Sequence, residues 1–201
     1  MKAADFNLSK DLKLDPESGI ATFRNSRLVV MDSAALGLLR HNLVEELGVE
    51  RARTFFLRLG YSNGFADFQQ MKRKYEFDSE MELLASGPVI HSWEGIVAAK
   101  PSEIRFDREK GEFYFTGVWQ NSYEAEQHLS FNPPSSEPVC WSLMGYASGR
   151  GTAFFGKPLI AIETKCAGKG DEHCEWLMQP PSAFGPEAKP YAAALRELMG
   201  V

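Results

Sequence analysis

The sequence has few clusters of positive charge: its 201 residues carry a formal net charge of −5, and the densest basic run is Lys72–Lys74. A surface that binds nucleic acid needs clustered lysine and arginine, so we expect no direct nucleic-acid binding, and this run is typical of a solvated helix end. The sequence also contains no G-x-x-x-x-G-K-[ST] phosphate loop and no recognisable DNA-recognition helix. It lacks a G-x-S-x-G motif and any evident nucleophile with its base, so we do not expect an enzyme.

Long hydrophobic runs are absent too. No apolar stretch approaches the roughly 18 residues that a membrane-spanning helix requires, so we expect no membrane partner. The N-terminal segment MKAADFNLSKDLKLD is charged and has no apolar core, which argues against a secretory signal peptide. We therefore expect a cytoplasmic location, where thiols stay reduced.

Cysteine is scarce, and the three that occur are an odd number, which fits a disulfide framework poorly. Cys166 and Cys174 stand close together in the segment ETKCAGKGDEHC, residues 163–174, and Cys140 lies upstream. Zinc prefers thiolate ligands, and the glycines of this segment let the chain turn back so that both sulfurs converge. The alternative is three buried free cysteines that act as small hydrophobic side chains.

A structural zinc site also needs a fourth ligand. By type, the candidates near the cysteines are Glu163, Asp171, Glu172 and His173. Glu163 precedes Cys166 by three residues, a compact spacing for chelation, whereas His173 adjoins Cys174 and adjacent residues seldom reach one ion well. Three cysteines and a glutamate leave no open position for water, so we expect a structural metal rather than a catalytic one.

The first half of the sequence predicts mainly helices. Residues 1–18 are polar and are expected to be loose or ordered only by a partner, and two short strands should flank a turn at residues 24–26. Apolar spacing then indicates three helices. These run from a cap at Ser33 to Gly48, from Val49 to Gly60 with a possible extension to Lys74, and from a cap at Asp78 or Ser79 to a stop at Gly87-Pro88.

The second half predicts mainly strands. Residues 93–120 resemble a meander with turns at Lys100-Pro101 and residues 109–111, and the segment around Pro133-Pro134 is typical of a flexible loop. Pro138 should open a helix rich in small residues, followed by the strands PLIAIETK and CEWLM and a helix from Tyr191 to Met199. This order predicts an α+β fold with a mostly antiparallel sheet packed against helices.

Five separated blocks carry a resemblance to a known family. They are GVERARTFFLRLGY, GPVIHSWEGIV, EPVCWSLMGYASG, TAFFGKPL and ETKCAGKGDEHC. Together they resemble the sensory domain of XylR/DmpR/MopR-type aromatic-responsive bacterial transcriptional activators, and the second half is similar to a 4-vinyl-reductase-like module. The resemblance implies a homodimer that binds a small phenol-type effector and controls ATPase and DNA-binding domains outside this chain. We expect a sensory and dimerisation part at 1–130, a zinc-binding part at 131–180 and a connector helix at 181–201.

The resemblance also implies the site residues. The family's zinc ligands fall on Cys140, Glu163, Cys166 and Cys174, and the two residues that hold a phenolic hydroxyl fall on His91 and Trp119. Phe113 and Phe115 alternate with Trp119 on one strand and are expected to supply ring contacts. Further expected lining residues are Leu84, Trp93 and Tyr146. Gly117 departs from the family pattern and should leave a gap that enlarges the pocket, which the bulky Trp93 would offset.

Other interpretations stay open at this point. A lone histidine after an apolar run is more often a core residue, and a strand stripe of phenylalanine and tryptophan is usually plain packing. A tetrapyrrole-related enzyme or accessory protein of the vinyl-reductase type would need a larger pocket. A scaffold protein that senses nothing would have a filled core beside His91.

Overall fold

Two antiparallel sheets and seven α-helices make up residues 1–23 and 26–200, the part of the chain that the computed structural model describes. The small sheet joins β1 (Leu12–Asp15), β2 (Ile20–Phe23) and β3 (Ser26–Leu28) in that order. The large sheet joins β4 (Ala98–Asp107), β5 (Glu112–Gln120), β7 (Cys174–Gln179) and β6 (Ile160–Lys165), with every neighbouring pair antiparallel. The predicted α+β class with an antiparallel sheet is confirmed.

The helices lie mostly in the first half of the chain, as predicted. They are α1 (Leu8–Asp11), α2 (Ser33–Leu47), α3 (Val49–Lys74), α4 (Glu80–Trp93), α5 (Tyr123–Phe131), α6 (Trp141–Phe155) and α7 (Lys189–Met199). The α2 cap is Asp32 and not Ser33, because the Asp32 carboxylate accepts the Ala34 N–H at 2.8 Å. No helix among the described residues is long and apolar enough to cross a membrane.

The central contact of the fold joins α3 and α6 through glycines. A methyl group at Gly60 would overlap the carbonyl oxygen of Ser142, and one at Gly149 would overlap that of Tyr61. Glycine therefore lets the two backbones approach more closely than side chains would permit. This contact holds α6 between α3 on one side and the large sheet on the other.

The predicted stop of α4 at Gly87-Pro88 is wrong, since the helix continues to Trp93. Proline removes a backbone donor from a helix, but side chains support the carbonyl groups around it. The Arg150 guanidinium donates to the Leu83 carbonyl at 2.7 Å, and the Ser92 hydroxyl donates to that of Pro88 at 2.9 Å. The extra turn places His91 on a helix beside α6.

Residues 1–18 are ordered, contrary to expectation. The N-terminal amino group donates to the Glu76 carbonyl at 2.6 Å and to Asp78 at 2.8 Å. The Phe6 ring is buried and meets Tyr75 edge-on at 5.3 Å. The strands on both sides of the expected hairpin turn are present, whereas residues 24 and 25 of that turn lie outside the described residues.

Three further boundaries differ from the predictions. The expected turn at Lys100-Pro101 lies inside β4, where a register shift follows Pro101; β4 is an edge strand, and edge strands tolerate proline. The segment expected to be a loop contains α5, whose buried Glu124 accepts hydrogen bonds from the first N–H groups of α6. Helix α6 begins at Trp141, so Cys140 is its N-cap and lies outside its first turn.

Candidate ligand cavity and metal centre

A cavity of about 40 Å³ lies between α4, α6 and the buried face of the large sheet. Its walls are almost entirely apolar. Helix α4 contributes Leu84 and His91, α6 contributes Tyr146 and Arg150, β5 contributes Phe115 and Trp119, and β7 contributes Trp176 and Met178. Four elements that are separated in sequence therefore converge on one space.

Most of the expected lining residues meet at this cavity, and two do not. His91, Trp119, Phe115, Leu84 and Tyr146 all line it. The Phe113 ring instead packs on Phe155 at 5.1 Å, deeper in the core. Trp93 stands at the end of α4 with 44 % of its surface exposed and does not line the cavity.

Sequence reasoning missed Trp176, Met178 and Arg150 as cavity residues. The alternation of CEWLM places Trp176 and Met178 on the buried face together with Cys174. Arg150 follows Tyr146 by four residues and so shares its helix face. Both spacings are visible in the sequence, but neither indicates which of the many buried faces surrounds a cavity.

The polar group with the most perturbed ionisation here is His91. It is 7 % exposed, and burial, together with the charge of Arg150, lowers its pKa to about 3, so the imidazole is neutral at neutral pH. Its ring centroid lies 3.9 Å from that of Tyr146. Within the described part of the chain, neither the His91 ring nitrogens nor the Trp119 indole N–H has a hydrogen-bond partner.

A buried network fixes the α6 side of the cavity. The Tyr146 hydroxyl and the Arg150 guanidinium both donate to Asp67 of α3, at 2.5 and 2.6 Å. Arg150 also donates to the Ser86 hydroxyl at 2.6 Å. Because the Tyr146 hydroxyl is committed to Asp67, this residue presents its ring to the cavity.

Gly117 does not enlarge the cavity in the way its small size suggests. It pairs with Trp176 across β5 and β7, and an added Cβ would lie 2.7 Å from Trp176 Cζ2 and 2.6 Å from the Lys100 carbonyl oxygen. The expectation of an open gap at Gly117 is therefore wrong, because the neighbouring strand fills it with an indole. Trp93 cannot offset such a gap either, since it lies outside the cavity.

The four residues expected to bind zinc lie together at the edge of the same sheet. One ligand atom from each of Cys140, Glu163, Cys166 and Cys174 falls within 4.8 Å of the others, and all four residues are buried. Cys140 Sγ and Cys174 Sγ are 3.8 Å apart. Two thiolates bound at ~2.3 Å to a tetrahedral zinc ion are separated by about 3.8 Å, so the sulfur spacing matches such a site.

The surroundings of the cluster also suit a cation. Glu163 Oε2 accepts the Cys140 N–H at 3.1 Å, while its Oε1 is buried without a partner among the described residues. Burial and, to a smaller extent, the charge of Cys166 raise the pKa of Glu163 to about 8. A divalent ion would stabilise the deprotonated carboxylate and thiolates and give the free oxygen a partner.

Backbone donors orient two of the sulfurs. The Val139 N–H points at Cys166 Sγ at 3.4 Å, and the Ala167 N–H points at Cys174 Sγ at 3.3 Å. Such outer contacts hold ligands in place and stabilise thiolates. The turn between the two cysteines closes at Gly170, whose φ of +99° favours glycine.

Comparison with known proteins gives this arrangement a context. A family model described as "Activator of aromatic catabolism" matches residues 7–107, and a domain model of the 4-vinyl-reductase type matches residues 119–180. The phenol regulator MopR of Acinetobacter guillouiae is 35% identical over 178 residues, covering 89% of this chain and 32% of that protein. The transcriptional regulatory protein XylR of Pseudomonas putida is 33% identical over 168 residues, covering 84% of this chain and 30% of that protein. The chain thus spans about a third of the length of these curated relatives.

A solved structure is similar over nearly the whole chain. It is the phenol-responsive sensory domain of the transcription activator PoxR with phenol, with a TM-score of 0.84, 31% identity and coverage of 94% of both chains. The family match, the two curated regulators and this structure agree with one another. The chain therefore belongs to the family of activators of aromatic catabolism and carries a 4-vinyl-reductase-type domain in its second half.

Proposed function

We propose that this chain is the effector-sensing module of a transcriptional activator, a regulator rather than an enzyme, and that its cavity binds a small phenol. One observation carries the proposal: His91 and Trp119, both without hydrogen-bond partners among the described residues, line one mostly apolar cavity. The phenol named for the relatives MopR and PoxR supports the same ligand class.

The two polar residues are complementary to a phenolic hydroxyl. A neutral imidazole accepts the hydroxyl proton through its unprotonated nitrogen, and an indole N–H donates to the hydroxyl oxygen. Phe115 and Tyr146 offer their rings to the aromatic ring of the ligand. A hydrocarbon such as toluene leaves both polar groups unpaired, so the site should reject it.

Ligand entry requires the cavity walls to move. The cavity measures about 40 Å³, whereas an engineered cavity that binds benzene measures about 150 Å³. Met178 and Leu84 line it and have rotatable side chains, so we expect them to be displaced. Only the difference in ligand affinity between the closed and opened arrangements can bias the output.

We propose that this bias passes through the helices to a connector at 181–201 and then to ATPase and DNA-binding domains outside this chain. Helix α7 belongs to this connector and contacts α3 through the Arg58–Glu197 pair at 2.8 Å. Helix α3 in turn carries Asp67, which holds the cavity residues Tyr146 and Arg150. The parts 1–130 and 131–180 share the large sheet, since β4 and β5 come from the first and β6 and β7 from the second.

We also propose that Cys140, Glu163, Cys166 and Cys174 hold a structural zinc ion. The sulfur spacing, the burial of all four residues and the unpartnered Glu163 oxygen support this assignment. Zinc would supply no chemistry to the effector, because four protein ligands fill its tetrahedron. It would fix the N-terminus of α6 to β6 and β7, close to the elements that surround the cavity.

A homodimer in the cytoplasm completes the proposal. Several apolar side chains are exposed on the N-terminal part of the chain, which a partner copy would cover. They are Val29, Val30, Met31, Leu38, Leu39, Phe55 and Leu59. Sedimentation of the purified chain measures this directly, and a monomer at all concentrations would remove the dimer from the proposal.

The alternative functions are less consistent with the molecule. A tetrapyrrole-related enzyme or accessory protein needs a site far larger than about 40 Å³, and the curated relatives are regulators. A scaffold that senses nothing predicts a filled core beside His91, whereas His91 lines a cavity.

Titration calorimetry with phenol, toluene and a porphyrin tests these functions against one another. Phenol should bind, and the other two should not. His91→Ala should weaken phenol binding by about 1–3 kcal/mol, the usual cost of an unpaired buried polar group. His41→Ala, on α2 and outside the cavity, should leave the affinity unchanged. Equal phenol affinity in wild type and His91→Ala would remove His91 from the site.

A further inference from the structure

Trp176 carries a buried donor that the proposed function does not use. Its side chain is 3 % exposed and lines the cavity. Its Nε1–H has no hydrogen-bond partner among the described residues. An indole nitrogen can only donate, and buried donors without an acceptor are rare because they cost free energy. The orphan therefore calls for an acceptor that enters the cavity from outside.

The neighbours of this indole hold its ring in one place. Phe115 meets it edge-on with ring centroids 4.8 Å apart, and Trp119 stacks on it at 5.7 Å with an interplanar angle of 27°. Gly117 leaves room for the ring, since a Cβ at this position would lie 2.7 Å from it. A donor fixed in this way loses little conformational entropy when a ligand uses it.

We propose that Trp176 donates a hydrogen bond to a second polar substituent of the effector, so that the chain prefers phenols bearing another hydrogen-bond acceptor over phenol itself. This inference rests on the proposed phenol-binding function, because His91 and Trp119 hold the hydroxyl that orients the ring. Trp119 and Trp176 lie on adjacent strands of the sheet, while His91 lines the cavity from α4. A substituted ring therefore meets a donor on each of two strands.

Chemistry favours an acceptor such as a methoxy oxygen. When unsubstituted phenol binds, the Trp176 N–H keeps a water molecule or stays unpaired. An ether oxygen on the ring replaces that water without leaving a buried donor unsatisfied. A site built to form such a bond discriminates against an analogue of the same shape that lacks the acceptor.

A pair of matched ligands tests the inference. Methoxyphenol and ethylphenol have nearly the same shape and differ by an ether oxygen in place of a methylene group. The ortho, meta and para isomers of each are titrated into the wild-type chain loaded with zinc. At least one methoxyphenol should bind about fivefold more tightly than the ethylphenol of the same isomer, the effect of one net hydrogen bond.

Trp176→Phe removes the donor and keeps an aromatic ring. In this variant the affinity ratio of the two ligands should fall to one or below. Because each ratio compares two ligands in the same protein, the extra space that phenylalanine leaves cancels. Trp93→Phe is the matched control, since Trp93 is half-exposed and lies outside the cavity; it should keep the wild-type ratio.

A second measurement needs no variant. The assigned ¹⁵N-indole resonance of Trp176 should shift strongly with the preferred methoxyphenol and little with its ethyl counterpart. Equal affinities within every isomer pair, an unchanged ratio in Trp176→Phe or an indole resonance that ignores the ether oxygen would each overturn the inference while phenol binding stands. Failure of the wild-type chain to bind any phenol would instead overturn the proposed function.

Discussion

Asp67→Ala removes the carboxylate that Tyr146 and Arg150 share beside the cavity. Asp67 Oδ2 accepts hydrogen bonds from the Tyr146 hydroxyl at 2.5 Å and from Arg150 Nη1 at 2.6 Å. The Arg150 side chain is 4 % exposed and that of Asp67 is 23 % exposed. Removing one partner of a buried ion pair leaves an uncompensated charge and costs about 3–5 kcal/mol of unfolding free energy.

The structure argues for the lower end of that range. Arg150 keeps the hydrogen bonds from Nη2 to the Leu83 carbonyl and the Ser86 hydroxyl, and Asp67 itself is partly in contact with water. We therefore expect a loss of about 3 kcal/mol. In a chain of this length that corresponds to a fall in Tm of about 6–12 °C.

Urea denaturation followed by circular dichroism, with both proteins loaded with zinc, measures the loss. Glu197→Ala is the matched control, because Arg58 and Glu197 form an ion pair of similar length, 2.8 Å, with side chains 43 % and 78 % exposed. Exposed pairs contribute at most about 1 kcal/mol. If Asp67→Ala costs no more than Glu197→Ala, the Arg150 charge does not depend on Asp67, and the buried network is not what holds this wall of the cavity.

Two other predictions concern protonation and the metal. Folded His91 has a pKa of about 3 against the ordinary 6.5, so between these values the unfolded chain binds more protons. Stability should therefore fall as pH decreases from 6.5, and His91→Gln should reduce this slope by up to about 1.4 kcal/mol per pH unit; equal slopes in urea titrations between pH 5.5 and 6.5 would contradict it. Cys166→Ser should release zinc and lower Tm, as elemental analysis and thermal scans will show, and unchanged metal content would refute the ligand assignment.

The sequence predicted the helices best where apolar spacing is regular. Helices α2 and α3 follow such spacing, and their existence was visible from it. Prediction failed where tertiary contacts override local preference: α4 passes through Pro88 with help from Arg150, which lies 62 residues further along the chain. Similarly, α5 lies in a polar segment whose helix is supported by bonds from Glu124 to α6.

The candidate site shows the same division. The resemblance and the cysteine spacing named four residues that the structure brings within 4.8 Å of one another. The effect of Gly117, in contrast, depends on which residue faces it across the sheet. The partner is Trp176, 59 residues away, and no local pattern reveals the register of two strands so far apart. A glycine that suggests empty space in the sequence therefore lies against an indole.

The same register joins the metal centre to the cavity. Trp119 faces Cys174 across β5 and β7, and Trp176 faces Glu163 across β7 and β6. Each proposed metal ligand on a strand is thus the cross-strand neighbour of a tryptophan that lines the cavity. Loss of the metal would release the strand ends on which both indoles depend, so a zinc-free chain should lose phenol affinity as well as stability. Calorimetry on chelator-treated protein that is still folded by circular dichroism measures this, and an undiminished phenol affinity would show that the cavity does not depend on the ion.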